Sequence, residues 1–324
     1  MTSKYLSVVV PVHNLAADVE HLETELSKLD RSEVEIILVD DSSTDGTASV
    51  LKNLKAVWDD IVVIRTPSNL GAGGARNLGF PLASGSYTLF FDSDDFLHPE
   101  EIFETAAILE ESGADASINV YDFIRDGSDV TTGMNMIDHD IWGTHSSQLS
   151  GRTFHIREAP KFLRFTNFPW NKMIRTAHYQ SLNLAPFFGE TKVNNDILGH
   201  WNILLNARKI VMVDRKIVTH RMSGARDHLS KRFGAERLEI FSALRALHDL
   251  LKTDPGGLAQ FGATYWSFAM QMTNWAGARL DDQFQTAFRA SCRDLVRGAS
   301  LPEVCDVMEA REKDTYRWLM DLMD

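Results

Sequence analysis

Tyr87-Thr88-Leu89-Phe90-Phe91-Asp92-Ser93-Asp94-Asp95 is the stretch that decides how this chain reads. A short apolar run passes directly into a cluster of carboxylates. Such a run suits a strand buried on both faces. Carboxylates two positions apart at a strand end can share a hard cation through oxygen, with phosphate oxygens completing the shell. Asp-X-Asp alone is also an ordinary solvated turn. The apolar run before it, and Phe96-Leu97-His98-Pro99-Glu100 after it, give this one its weight.

Working outward, Leu6–Val12 is a continuous β-branched run, and Leu15, Val19, Leu22, Leu26 and Leu29 then recur at helical spacing. A second strand, 34–39, ends in Asp40-Asp41-Ser42-Ser43-Thr44-Asp45-Gly46, a set of turn and cap residues. Val50, Leu51, Leu54 and Val57 mark a helix, 61–64 a strand, and a glycine-rich turn at 69–74 opens a helix over 75–83. Strands alternating with helices specify right-handed βαβ units and a mostly parallel sheet, whose ligands bind at the carboxyl ends of the strands. Asp40/Asp41, the 69–76 segment and 92–95 therefore fall on one edge. Gly71-Ala72-Gly73 starts like a dinucleotide fingerprint, but Arg76 holds the third glycine position and the segment follows the third strand, which excludes a Rossmann dehydrogenase. Small residues here would let phosphates approach backbone N–H groups, with Arg76 adding charge; a tight turn is the alternative.

Beyond residue 116 the signal weakens. Residues 116–151 are polar and read as a strand or two plus a loop region. Asp196–Asn206 is a helix with Ile197, Trp201, Leu204 and Leu205 on one face, and 210–213 and 217–219 are closing strands. After residue 223 only helices remain, over 233–251, 258–278, 282–297 and 302–323, with linkers at 253–257 and 298–302. Tyr265, Trp266, Phe268, Met270, Met272, Trp275 and Leu280 form the core of this bundle, or alternatively a dimer face or membrane-surface platform.

The 324 residues are 44% hydrophobic and 24% charged, the composition of a globular protein. A net charge of −12 argues against a nucleic-acid partner. The charge is uneven: residues 1–115 carry 7 basic and 21 acidic side chains, residues 116–224 carry 13 and 9, and residues 225–324 carry 13 and 15. Cys292 and Cys305 are too few for a disulfide framework or a four-ligand zinc site and read as buried free thiols. No signal peptide and no run of 18 apolar residues is evident, so a soluble cytoplasmic protein is expected, with the inner face of the membrane as a possible station.

Four segments in order, Ser7-Val-Val-Val-Pro-Val-His-Asn14, Leu38-Val-Asp-Asp-Ser-Ser-Thr-Asp-Gly46, Asn69-Leu-Gly-Ala-Gly-Gly-Ala-Arg-Asn-Leu-Gly79 and Phe90-Phe-Asp-Ser-Asp-Asp95, closely resemble the nucleotide-binding half of family 2 glycosyltransferases with the GT-A fold. Trp170-Asn171-Lys172, Asn195-Asp196 and Thr219-His220-Arg221 are similar to the later part of that domain. The resemblance implies an α/β GT-A catalytic domain over 1–224, with a nucleotide-binding half (1–115) and an acceptor half (116–224), followed by a helical domain (225–324). It implies a metal-dependent inverting transferase. One sugar would move from a nucleotide-diphosphate sugar, UDP-sugar first, to a hydroxyl acceptor that is a glycan, lipid-linked or a small molecule. Bacterial surface polysaccharide or glycoconjugate synthesis is the implied setting.

Residue by residue, the resemblance implies that Pro11, Val12 and Asn14 line the nucleotide. Asp40 or Asp41 accepts the uracil imide N–H while the other braces the loop. His13 stands where the family has Tyr or another aromatic residue. Gly71 and Arg76 approach the phosphates, and Asp92 faces the ribose or the metal's water shell. Asp94 binds Mn²⁺ or Mg²⁺, with His220 as a third ligand and Asp95 behind them or capping a helix. Lys172 or Arg221 contacts the diphosphate, unless both are plain surface cations. Asp196 is the base that takes the acceptor's proton. Asn195 replaces the family's usual Glu, Glu190 lies near enough to substitute, and an N-cap is the other use of Asp196. A sugar nucleotidyltransferase and an inactive nucleotide-binding or assembly subunit are the competing readings. The C-terminal helices are the expected site of any homo-oligomer or peripheral membrane contact.

Overall fold

The computed structural model describes residues 4–222, 234–254 and 256–323. The expected boundary at residue 224, the start of the 233–251 helix and part of the 253–257 linker lie outside them. The chain opens with β1 (Leu6–Val12), α1 (Val19–Ser27), β2 (Val34–Asp40), α2 (Thr47–Val57), β3 (Val62–Arg65) and α3 (Gly71–Gly79). It continues through β4 (Tyr87–Phe90), β5 (Phe96–Leu97), α4 (Pro99–Ser112), β6 (Ala116–Asn119), β7 (Asp122–Arg125), β8 (Thr131–Thr132) and α5 (Met136–Leu149). Next come β9 (Thr153–Phe154), β10 (Met173–Arg175), α6 (Thr176–Ser181), α7 (Asp196–Asn206), β11 (Ile210–Val213) and β12 (Val218–Met222). The helical region comprises α8 (Glu239–Thr253), α9 (Gly257–Gly277), α10 (Gln285–Val296), α11 (Leu301–Glu309) and α12 (Lys313–Met323).

The main sheet runs β3-β2-β1-β4-β10-β6-β11-β9, and a smaller one runs β5-β12-β7-β8. Strand β1 is buried along its whole length because it pairs in parallel with β2 on one side and β4 on the other. Val12 stands opposite Asp40, and Phe91 N–H reaches Val9 O at 3.0 Å, so these strands release their loops along one edge. Strand β10 enters antiparallel between β4 and β6. The sheet is thus the expected mostly parallel α/β sheet with one reversed central strand.

Four local readings change. Helix α3 starts at Gly71 rather than at 75, so the glycines lie inside it and serve close packing. A Cβ at Gly79 would stand 2.7 Å from Val9 Cγ1, and one at Gly73 would stand 2.4 Å from Gly189 O. Within the polar 116–151 stretch lies α5, whose N-terminus is closed by the Asn135 side chain accepting the Asp138 N–H at 2.9 Å. Its buried residues, Asp138, Ile141 and Leu149, do not make the broad apolar stripe that announces a helix. At the other end, the helix expected over 302–323 is two helices, broken where Arg311 takes a left-handed φ of 60°. Cys292 is buried, but Cys305 is exposed.

The helical region shares one hydrophobic core with the sheet region. Trp201 on α7 meets Phe268 at 5.7 Å and Tyr265 at 6.5 Å between ring centres, both on α9. Within the bundle, Glu303 accepts from Trp266 Nε1 at 3.1 Å, pairs with His248 at 2.6 Å and caps α11 through Ser300. Trp266 therefore belongs to the bundle core, as the plainer reading had it. Among the described residues no helix is long and apolar enough to cross a membrane.

Candidate active site

The first acid pair is saturated by its own surroundings. Asp41 accepts from Leu70 N and Gly71 N, each at 2.8 Å, and from Thr66 Oγ1 at 2.9 Å, so it anchors the start of α3. Asp40 accepts from Ser43 N at 3.0 Å and pairs with Arg65 at 2.6 Å. Of the two, Asp41 is the one that braces the start of α3. The Gly71 N–H is therefore taken by Asp41 and does not face a phosphate. Pro11 and Val12 are buried in the strand. Asn14 is exposed and holds the neighbouring loop, donating its N–H to Ser43 Oγ at 3.0 Å and accepting from Thr44 N at 2.9 Å. His13 is exposed beside it, in contact with Asp41 O at 2.8 Å and with Asn69 Nδ2 at 3.1 Å. Asn69 and Arg65 were not singled out by the sequence, because each acts through residues distant in the chain.

The second cluster meets side chains from other elements. Arg76 is buried, pairs with Asp92 and donates to Asn195 Oδ1 at 3.3 Å, while its guanidinium lies 5.3 Å from the Phe188 ring centre. It is a buried link between the β4 loop and the segment leading to α7, and not a cation turned outward to a diphosphate. Asn195 enters this link as a neutral acceptor and Asp92 as the charged one. The segment is held again by Asn77, which donates to Phe188 O at 3.0 Å and accepts from Phe188 N at 2.8 Å.

Asp95 is fully buried and accepts from His220 Nδ1 at 2.7 Å and Arg221 N at 2.9 Å, tying the cluster to β12. Burial alone would push the His220 imidazole down, but Asp95 beside it, with Asp94 and Asp92 beyond, raises it to about 9. Its ring stacks on Phe168 and Trp170, at 5.5 and 5.7 Å between ring centres, and its Nδ1 is engaged by Asp95. Among the described residues no three His, Cys, Asp or Glu side chains converge to hold a metal. Asp92 and Asp94, both half-buried at the end of β4, offer carboxylate oxygens suited to a hard cation. They fit one that shares its shell with a ligand's phosphates, and they do not fit a closed protein cage.

Asp196 begins α7 with no side-chain cap across that terminus. Burial lifts its carboxyl to about 6, with Asp92 adding to the rise and Arg76 and Lys172 opposing it. Glu190 is exposed in the preceding loop, so Asp196 is the carboxylate that shares its electrostatic surroundings with Arg76 and Asp92. Lys172 does not reach outward. Its fully buried ammonium donates to Thr166 O at 3.1 Å, Phe168 O at 2.8 Å and Asn171 Oδ1 at 2.6 Å. Burial lowers it to about 7, against the pull of Asp138 and Asp196. Arg221 turns to Asp126 at 2.6 Å. Both candidate diphosphate cations are thus engaged within the protein.

Acid clusters at the carboxyl ends of β2 and β4, with a carboxylate opening a helix beside them, define an α/β transferase of the GT-A type. The chain belongs to glycosyl transferase family 2, whose sequence model matches residues 7–185. It is 34% identical over 116 residues to a poly(ribitol-phosphate) beta-glucosyltransferase of Bacillus spizizenii, covering 35% of this chain and 18% of that protein. It is 30% identical over 178 residues to an uncharacterized glycosyltransferase of Haemophilus influenzae, covering 52% and 68%. The chain thus spans under a fifth of the first relative. Its fold is similar to that of Staphylococcus aureus TarS 1–349 solved with UDP-GlcNAc, with a TM-score of 0.73 at 21% identity over 98% of this chain and 90% of that one. Asp196 and Asn195 lie beyond the matched family segment.

Proposed function

We propose that this chain moves one sugar from a UDP-sugar to a hydroxyl acceptor with inversion, aided by a divalent cation, and that Asp196 is the base. The observation that carries the reading is the Arg76 link from Asp92 to Asn195, which sets the next residue, Asp196, at the start of α7 beside the β4 acid cluster. Asp196 takes the proton from the acceptor hydroxyl as that oxygen bonds to the anomeric carbon. The bond from that carbon to the diphosphate oxygen breaks on the opposite face, and its electron pair leaves with UDP. A carboxyl lifted to about 6 is still ionised at neutral pH, yet is more basic than an ordinary carboxylate. Asp94 and Asp92 would hold Mn²⁺ or Mg²⁺, which offsets charge on the departing diphosphate. Asp40 would accept the uracil imide N–H, with His13 and Asn69 beside the base.

Residues 1–224 would form this catalytic unit, 1–115 for the nucleotide and 116–224 for the acceptor. The relative that modifies poly(ribitol-phosphate), together with the +4 charge of residues 116–224 (13 basic, 9 acidic), favours a polyol-phosphate or similar surface polymer as acceptor. Thermal-shift titration with UDP, UDP-glucose and UDP-N-acetylglucosamine, with and without Mn²⁺, tests the donor. Stabilisation by UDP that grows with Mn²⁺ is expected. Equal stabilisation in chelator would overturn the cation's part, and none by any uridine nucleotide would overturn the donor.

A further inference from the structure

We propose that Glu239, the first residue of α8, is a positioning residue for sugar transfer, gripping the base-bearing loop from the helical region. The proposal rests on the reading of Asp196 as the base. Glu239 Oε2 accepts the N–H of Lys192 at 2.7 Å and that of Val193 at 3.3 Å. These two successive donors lie just before Asp196. A carboxylate shared by two adjacent backbone donors fixes the loop more firmly than a neutral contact does.

The opposite side of the loop rests on α3. A Cβ at Gly71 would stand 3.3 Å from Lys192 Cα, and one at Gly73 would stand 2.7 Å from Asn195 Cβ. Asn195 closes the circuit: its Nδ2 donates to Lys192 O at 3.3 Å, and its Oδ1 takes the Arg76 guanidinium that pairs with Asp92. Gly189 N–H reaches Asn195 O at 2.7 Å, pinching the loop at its neck. Hydrogen bonds therefore run without a gap from α8 to the end of β4, and Asp196 follows directly on that path. The loop is wedged between α3 and Glu239, so removing the grip on one side frees it to move away from Arg76. A base displaced by a fraction of an ångström to an ångström loses much of its effect. The helical region thus completes the catalytic geometry.

The test uses the full chain with Glu239→Ala, Glu239→Gln and, as control, Asp196→Asn. Turnover is read as UDP release from UDP-glucose and UDP-N-acetylglucosamine in Mn²⁺, beside hydrogen exchange of 188–196 and thermal denaturation. Glu239→Ala is expected to lower kcat about ten- to a hundredfold with donor KM within about twofold. The Lys192 and Val193 amides should exchange about five- to tenfold faster. Glu239→Gln, which keeps an acceptor oxygen, should restore most of both. Unchanged exchange in Glu239→Ala overturns the proposal. So does unchanged kcat while Asp196→Asn is inactive, or a loss that tracks unfolding and is not rescued by Gln. UDP release at the parental rate by Asp196→Asn, or none by the parent, instead removes the base reading beneath it.

Discussion

Asp40-Asp41 and Asp92–Asp95 follow the two strands that flank β1, and in sequence they look alike. Their partners differ completely. The first pair receives mostly N–H and O–H groups of its own neighbourhood, Ser43, Thr66, Leu70 and Gly71, with Arg65 at the rim. The second meets charged side chains brought from α3 and β12, Arg76 and His220. The first cluster holds the scaffold acid, Asp41, which fixes the start of α3. The other is a concentration of charge whose balance must change when an anionic ligand arrives. An acidic motif after a strand therefore says where a site lies, and only the partners say which part is structure and which is chemistry.

Substitutions can break that contrast. The largest effect is expected at Asp196→Asn, a loss of about 10²–10⁴ in transfer with the fold and UDP binding kept, measured as UDP release beside thermal shift. Asp94→Ala comes next, at about 10²–10³, with EDTA producing a similar loss in the parent that Mn²⁺ or Mg²⁺ reverses. Asp41→Ala should instead act on stability, costing about 2 kcal/mol in chemical denaturation because three donors at the start of α3 lose their acceptor. A folded, fully stable Asp41→Ala protein with no activity would erase the distinction between the clusters. The smallest effect concerns pH. Because the base works deprotonated, kcat/KM should rise with pH through about 6 and then level. Lys172→Met removes a charge that holds Asp196 down, so that limb should move to higher pH.

The sheet was legible where burial is complete. Leu6–Val12 and 34–39 are apolar except for Ser7 and Glu35 because both faces of those strands are covered. Helix α5 was not legible, since a helix held by capping and by buried Asp138 carries little period. Among candidate site residues, the sequence pointed to 40–41, 92–95 and 196 by their place after strands or before a helix. It misjudged Lys172 and Arg76, because charge reads as exposure until a buried partner is known. Asn69 and Asn77 fall inside a quoted motif with no role to read from it, and Glu239 gives no signal at all. Glu239 acts on backbone N–H groups 47 and 46 positions away, and a backbone donor leaves no trace in residue identity.

The reversed strand β10 has a consequence for how the chain is made. It fills the gap between β4 and β6 only after more than 170 residues have been synthesised. Until then, the edge of β4 that carries the acidic loop stays unpaired. A nascent chain stalled before Met173 would expose that edge beside the apolar faces of β1 and β4. Pairing between copies would be the failure to expect there. The later segment thus protects the earlier sheet edge during biosynthesis, and a slow stretch of translation between residues 91 and 173 would be costlier than one of equal length further on.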